Sequence, residues 1–212
     1  MKYSMCIFDL DGTLLDTIED LTDAVNYSLK KFGLPLRTKE EITSFVGNGI
    51  PQLVSLAALP LTDEKIISEL YKITSEYYSL HYDIKTKPYD GINGLIDYLY
   101  SKGVKICVIS NKNDDTSKKL INEFFGKKIS LTFGRRDNIP KKPDPYTVFE
   151  AADILKEDIS NAVFIGDSDI DVRTAHAAGI KCIGVSWGYR DADNLKEADY
   201  IINKAEEIYE LI

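Results

Sequence analysis

Two aspartates near the start of the chain, Asp9 and Asp11, are spaced so that both carboxylates could act at one site. They lie in the stretch FDLDGTLLD, directly after a nearly continuous apolar run from Tyr3 to Phe8. Such a run predicts a strand buried on both faces, and Asp9 then falls at its carboxyl end, where open α/β sheets place their ligands. Gly12 permits the turn that follows. Acids this close stay ionised together only beside a positive charge, so the pattern favours a hard cation such as Mg²⁺ over an acidic turn that merely caps a helix.

Three further polar groups follow predicted strands later in the chain. Ser110 and Asn111 close the apolar run VKICVIS, where a hydroxyl and an amide could bind phosphoryl oxygens or simply form a turn. Lys142 lies in a segment stiffened by prolines, although a single lysine is usually solvated. Asp167 and Asp171 follow the run AVFIG; if a helix begins there they share one helical face, although acids at a helix start are also ordinary capping residues.

These four groups, in this order and each after a predicted strand, resemble the four motifs of the haloacid-dehalogenase superfamily, in its phosphatase branch. The resemblance covers essentially the whole chain. It implies that Asp9 is a nucleophile that becomes an aspartyl phosphate and that Asp11 is the general acid and base. It also implies that Ser110 and Lys142 hold the transferring phosphoryl group and offset its charge.

The same resemblance implies a Mg²⁺ site. Its ligands would be Asp9, Asp167 and Asp11, the last through its backbone carbonyl, with Asp171 helping through water. The residues implied for phosphate binding are Gly12, Thr13, Ser110, Asn111 and Lys142.

The elements that must position these residues fall into two patterns. After Gly91, strand-like and helix-like segments alternate, which predicts a doubly wound, mostly parallel α/β sheet of the Rossmann-like kind. The preceding block has only helical patterns and includes a capping box at Thr38 and Glu41. We therefore expect a discontinuous α/β core and an inserted helical cap. The predicted core is 1–15 with 84–212, and the predicted cap is 16–83.

The predicted cap carries the main clue to the substrate. The segment FVGNGIPQLV resembles the cap loop of the phosphoglycolate phosphatase group, and Gly47 and Asn48 within it could bind a small carboxylate or form a tight turn. We therefore expect a phosphatase that hydrolyses a small phosphomonoester, with phosphoglycolate as the first candidate. The alternatives are a phosphomutase of the β-phosphoglucomutase kind, or a pyrophosphatase, sugar-phosphate phosphatase or nucleotide phosphatase of the same family. A binding protein without activity is a further alternative.

The composition limits the partners. The 212 residues are 44% hydrophobic and carry a formal net charge of −8, which argues against nucleic acid or an anionic membrane as the partner. Each of the three cysteines, Cys6, Cys107 and Cys182, lies in a strand-like apolar run and is expected to be a buried thiol. We expect a cytoplasmic protein that acts on a small phosphorylated metabolite, with monomer and homodimer both open.

Overall fold

The computed structural model describes residues 2–61 and 63–212. They fall into two compact units, one with the bounds Met1–Leu15 and Pro88–Ile212 and the other spanning Asp16–Lys87. The first unit lies within the predicted core of 1–15 with 84–212, and the second ends four residues beyond the predicted limit of the cap at 83. Whether the second unit serves as a cap stays a prediction.

Strands and helices alternate along the first unit, whereas helices fill the second. The strands are β1 (Met5–Phe8), β2 (Leu15–Asp16), β3 (Lys87–Pro88), β4 (Lys105–Asn113), β5 (Leu131–Arg135), β6 (Ala162–Gly166), β7 (Lys181–Val185) and β8 (Tyr200–Ile202). The helices are α1 (Ile18–Lys31), α2 (Lys39–Phe45), α3 (Ile50–Ala57), α4 (Glu64–Leu80), α5 (Ile92–Ser101), α6 (Asp114–Phe124), α7 (Tyr146–Leu155) and α8 (Asp169–Ala177). Short 3₁₀ helices span Gly126–Lys128, Ile159–Asn161, Ala192–Leu195 and Ala205–Glu210.

A parallel sheet forms the centre of the first unit. Within the described residues it has six strands in the order β5-β4-β1-β6-β7-β8. Ile7 of β1 lies opposite Cys107 of β4 on one side and Phe164 of β6 on the other. The strand order reverses at β1, and the carboxyl end of such a switch point is where doubly wound sheets bind ligands. The predicted doubly wound α/β class is confirmed.

The central strands are buried as their apolar runs predict. All four residues of β1 and all five of β6 are buried, because helices cover both faces of a parallel sheet. The three cysteines are free and buried, as expected for small apolar side chains within strands. Burial raises the pKa of the Cys6 thiol to about 12, which keeps that thiol protonated and unreactive.

The second unit is built from α1 to α4. The predicted capping box is confirmed at the start of α2, where the side chain of Thr38 accepts from Glu41 N and the side chain of Glu41 accepts from Thr38 N. Thr74 of α4 donates a buried hydrogen bond to Ser28 of α1 over 2.7 Å. No helix in the described ranges is long and apolar enough to cross a membrane.

Thr17 occupies the N-cap position of α1, although its side chain makes no capping hydrogen bond and Asp16 Oδ1 accepts from Ile18 N over 3.3 Å. One local prediction was wrong. Strand β4 continues to Asn113, so Ser110 and Asn111 lie inside the strand rather than after it. Pairing with β5 resumes beyond an irregularity in register and extends the strand past its apolar run.

Candidate active site

Three aspartates meet at the carboxyl edge of the sheet. Asp9 directly follows β1, Asp167 directly follows β6, and Asp171 lies in the first turn of α8. Because β1 and β6 are hydrogen-bonded neighbours, their ends bring Asp9 and Asp167 together. One carboxylate oxygen from each of the three residues lies within 4.8 Å of the others. We call these residues the acidic triad.

A capping box places Asp171 in the triad. Ser168 is the N-cap of α8; its Oγ donates to Asp171 Oδ2 over 2.6 Å and accepts from Asp171 N over 3.4 Å. The helix begins at Asp169, so Asp167 precedes it in the loop, and the prediction that Asp167 and Asp171 share one helical face was wrong. The two carboxylates converge because the capping box turns Asp171 back toward the end of β6.

Lys142 links two members of the triad. Its Nζ lies 2.8 Å from Asp9 Oδ1 and donates to Asp171 Oδ1 over 2.7 Å, and the residue is 4% exposed. The side chain of Asn111 accepts from Lys142 N over 3.0 Å and donates to Lys142 O over 3.2 Å. Asn111 therefore holds the backbone of Lys142 in place. The phosphate contact predicted for Asn111 stays a prediction.

The triad carries more negative charge than Lys142 balances. Burial, opposed by Lys142 and reinforced by Asp171, raises the pKa of Asp9 to about 7. Burial and the charges of Asp171 and Asp9 raise the pKa of Asp167 to about 8. Burial lowers the pKa of Lys142, but Asp171 and Asp9 outweigh it, so the net shift is upward and the ammonium stays charged.

The donor set fits a hard divalent cation. Asp9 Oδ1 is buried and accepts no hydrogen bond, although Lys142 Nζ forms an ion pair with it. Oxygen ligands at this spacing suit Mg²⁺ or Ca²⁺ rather than a metal that prefers nitrogen or sulfur. The structure thus has a buried acidic site that could hold a metal ion.

Two segments, the loop after Asp9 and the segment after β7, pack around Asp167. Thr13 Oγ1 donates to Asp167 Oδ1 over 3.2 Å, and Tyr189 N donates to Asp167 Oδ2 over 2.8 Å. Gly12 has φ +85°, and a Cβ there would lie 2.4 Å from Asp167 Oδ2. At Gly188 a Cβ would lie 2.2 Å from Asp167 Cβ. Gly12 is therefore required both by its left-handed backbone and by the close approach of Asp167.

Asp11 forms an ion pair with a second buried lysine. Its Oδ1 accepts from Nζ of Lys112 over 2.8 Å, and Lys112 is 5% exposed. We did not predict this lysine from the sequence. The available signal was its position two residues after Ser110, since alternate residues of a strand point the same way. Ser110 Oγ accepts from Lys112 N over 3.3 Å, and its predicted phosphate contact stays a prediction.

The two predicted substrate residues of the helical unit lie in the loop between α2 and α3. Gly47 has φ 127° and is followed by Asn48 and then by Gly49, which begins α3 as its N-cap. The loop therefore forms the tight turn that its glycines permit. Their binding of substrate stays a prediction.

Comparison with known proteins identifies the family. The family model described as "Haloacid dehalogenase-like hydrolase" matches residues 6–185. The chain is 35% identical over 214 residues to a phosphoglycolate phosphatase of Neisseria meningitidis, covering 96% of this chain and 91% of that protein. It is 30% identical over 207 residues to a phosphoglycolate phosphatase of Aquifex aeolicus, covering 97% and 95%.

A solved structure gives the same result. A protein from Lactobacillus delbrueckii subsp. bulgaricus superposes with a TM-score of 0.92 at 33% identity, covering 100% of this chain and 99% of that one. The chain belongs to the haloacid dehalogenase-like hydrolase family. The predicted superfamily and the predicted phosphatase class are confirmed.

Proposed function

We propose that this protein is a Mg²⁺-dependent phosphatase that hydrolyses phosphoglycolate through an aspartyl-phosphate intermediate. The names of relatives at 35% and 30% identity support the substrate. The observation that carries the mechanism is Lys142 Nζ, 2.8 Å from Asp9 Oδ1 inside a buried acidic triad. We also propose a small phosphorylated metabolite as the partner. A cytoplasmic location agrees with three free, buried thiols.

Asp9 and Asp11 divide the chemistry in this proposal. A carboxylate oxygen of Asp9 attacks phosphorus, and the ester P–O bond breaks while Asp11 gives its proton to the departing alkoxide oxygen. Water then attacks the aspartyl phosphate, and Asp11 takes up the proton of that water. Phosphate leaves, and both aspartates return to their starting forms.

Lys142 and Ser110 offset the charge of the phosphoryl group. Two unit charges about 4 Å apart at an effective dielectric of about 20 repel by about 4 kcal/mol, which corresponds to roughly three decades in rate. An anionic nucleophile that approaches an anionic phosphate meets this repulsion. The ammonium beside Asp9 lowers it, and the hydroxyl of Ser110 adds a hydrogen bond to a phosphoryl oxygen.

The proposed residues for Mg²⁺ are the acidic triad and the backbone carbonyl of Asp11, with Asp171 acting through water. When bound, Mg²⁺ supplies positive charge for the phosphoryl oxygens and for the nucleophile. Asp9 and Asp167 must be deprotonated to bind it, and their raised pKa values of about 7 and about 8 mean that metal binding releases protons.

The variant Asp9→Asn tests the nucleophile. It keeps the size of the side chain but removes the attacking anion, so we expect turnover to be abolished while Mg²⁺ binding is only weakened. Phosphate release and calorimetric Mg²⁺ titration measure the two effects. Asp115→Asn, an exposed aspartate in the first turn of α6, is the matched control. Wild-type rates in Asp9→Asn would refute the assignment.

A substrate panel tests the specificity. Phosphoglycolate, pyrophosphate, hexose phosphates and nucleotides would be compared with and without Mg²⁺. We expect the highest kcat/KM for phosphoglycolate and almost no turnover without the metal. Transfer of phosphate to a sugar with little free phosphate would instead indicate a phosphomutase, and a higher kcat/KM for another ester would reassign the substrate.

A further inference from the structure

Lys112 is a second buried lysine at the carboxyl edge of the sheet. Its side chain is 2% exposed, and its Nζ donates to Asp11 Oδ1 over 2.8 Å. Lysine is almost never fully buried unless it is paired, and taking an ammonium out of water costs several kcal/mol. A buried ion pair is therefore weak evidence for stability. The position of this one, on the proposed general acid, indicates a role in the reaction.

The backbone of Lys112 is fixed from two sides. Its N–H donates to Ser110 Oγ over 3.3 Å, within the same strand. On the neighbouring strand, a Cβ at Gly134 would lie 2.7 Å from Lys112 O, so β5 approaches this part of β4 very closely. Beyond Lys112, Asn113 pairs with Arg135 of β5. Side chains on such rigid elements hold their targets more accurately than side chains on loops.

The two buried lysines have different partners. Lys142 contacts Asp9 and Asp171, whereas Lys112 contacts Asp11. The side chain of Asp11 is 13% exposed, against 2% for Lys112, so the carboxylate is the more accessible member of its pair. A substrate that reaches this pair meets the carboxylate first. Lys112 is thus placed to act through Asp11.

We propose that Lys112 is a positioning residue that holds the carboxylate of Asp11 in the orientation needed for proton transfer. This inference rests on the proposed phosphatase mechanism, in which Asp11 protonates the departing alkoxide while the ester P–O bond breaks. One oxygen of Asp11 is fixed by Lys112, which restricts rotation of the whole carboxylate. Without Lys112 the carboxylate samples other orientations, and proton transfer slows.

The dependence on the leaving group separates this role from a general structural one. An alkoxide such as glycolate needs a proton as it leaves, whereas p-nitrophenolate leaves as a stable anion. We expect Lys112→Met to slow the first turnover of phosphoglycolate by about 10²-fold, the lower end of the effect of general acid catalysis. The first-turnover release of p-nitrophenolate from p-nitrophenyl phosphate should stay within about threefold of wild type. Rapid-quench and stopped-flow measurements give the two rates.

A double-mutant cycle shows whether Lys112 acts through Asp11. We expect Lys112→Met to cost nothing further in first-turnover rate when Asp11→Asn is already present, because the carboxylate that it orients is gone. Equal losses from Lys112→Met in the wild-type and Asp11→Asn backgrounds would overturn the inference, since Lys112 would then act on substrate directly. The inference would also be overturned if Lys112→Met lost first-turnover rate equally with phosphoglycolate and with p-nitrophenyl phosphate, or lost none with either ester.

Three controls complete the experiment. Lys112→Arg keeps the charge and should recover part of the phosphoglycolate rate. A variant that merely misfolds would instead lose rate equally with phosphoglycolate and with p-nitrophenyl phosphate. Lys128→Met removes an exposed lysine paired with Asp97 and should leave both rates unchanged. Turnover by the wild-type protein separates a failure of the proposed function from a failure of the inference about Lys112. Without Mg²⁺-dependent turnover of either ester the proposed function fails, and with turnover intact the failures above concern Lys112 alone.

Discussion

Asp20 in the helical unit and Asp167 in the sheet unit are both buried aspartates, at 2% and 3% exposure. The charged carboxylate of Asp20 is satisfied by hydrogen-bond donors of the same unit. It accepts from the backbone N–H groups of Lys85 and Thr86 and from Thr86 Oγ1, over 2.8 to 3.1 Å. Such a carboxylate is satisfied by its own fold and joins the start of α1 to the segment that follows α4.

Asp167 also accepts two hydrogen bonds, but it faces two other carboxylates. With Asp9 and Asp171 it forms a cluster in which burial and like charge raise its pKa to about 8. Its negative charge is thus disfavoured by the fold that buries it. The comparison teaches that burial alone does not mark a functional acid. A buried acid held against other acids indicates a positive ligand that the chain itself does not supply.

Replacing each aspartate by asparagine should give opposite results. Asp20→Asn loses charge-assisted hydrogen bonds and turns an amide N–H₂ toward donors, so the free energy of unfolding should fall by about 3 kcal/mol and Tm by about 6–12 °C. Asp167→Asn removes a repelled charge, so metal-free stability should not fall. Its kcat should drop by about 10²-fold or more, because a bound metal contributes several kcal/mol to catalysis.

Thermal unfolding and phosphate-release assays on both variants measure these effects. Asp20→Asn should keep its kcat at a temperature where it is folded. If Asp167→Asn destabilised the metal-free protein as strongly as Asp20→Asn, the two carboxylates would both be structural and the distinction would fail.

The metal should stabilise the protein more at high pH than at low pH. The carboxyls of Asp9 and Asp167 have an ordinary pKa of 3.8 and folded values of about 7 and about 8. At pH values between 3.8 and these folded pKa values, the folded state binds more protons than the unfolded state. The contribution of these two groups to the free energy of unfolding is therefore present at low pH and is lost as pH rises through the folded pKa values. Mg²⁺ needs the deprotonated forms, so its stabilising effect grows over the same window.

Thermal unfolding at pH 5 and pH 8, with and without Mg²⁺, measures this dependence. At a concentration of about 100 times Kd, Mg²⁺ adds about 2.7 kcal/mol, or roughly 5–10 °C in Tm. We expect a shift of this size at pH 8 and a much smaller one at pH 5. Asp167→Asn should reduce the shift at pH 8, whereas Asp20→Asn should leave it unchanged. Equal shifts at the two pH values would contradict the role of the raised pKa values.

The parts of the site predicted from sequence were those with a local signal. The apolar run before Asp9 and the run AVFIG before Asp167 predicted two buried parallel strands, and a parallel sheet brings their carboxyl ends to one edge. Lys142 was selected by its flanking prolines and its place in the chain. The helical block was predicted because apolar spacing and capping residues repeat over several turns.

The features that were missed have a weaker signal or none. Lys112 contacts Asp11 across 101 residues of sequence, and its one local signal was its position two residues after Ser110. The strands β2 and β3 have two residues each, too few for any periodicity. The helix start at Asp169 depended on Ser168, a capping residue that the run of aspartates around it obscured.

Two threonines, one hydrogen-bonded to each buried aspartate, test the comparison with the smallest expected effects. Thr13 Oγ1 donates to Asp167 Oδ1 over 3.2 Å, and Thr86 Oγ1 donates to Asp20 Oδ2 over 2.8 Å. Thr13→Val should weaken Mg²⁺ binding by about tenfold, the lower end for a group that orients a metal ligand, while kcat at saturating Mg²⁺ changes little. Thr86→Val should lower the free energy of unfolding by about 1 kcal/mol and leave Mg²⁺ affinity unchanged. Calorimetric titration and chemical denaturation of both variants give the two quantities. A loss of Mg²⁺ affinity in Thr86→Val, or none in Thr13→Val, would show that the two buried aspartates do not differ in the way their contacts indicate.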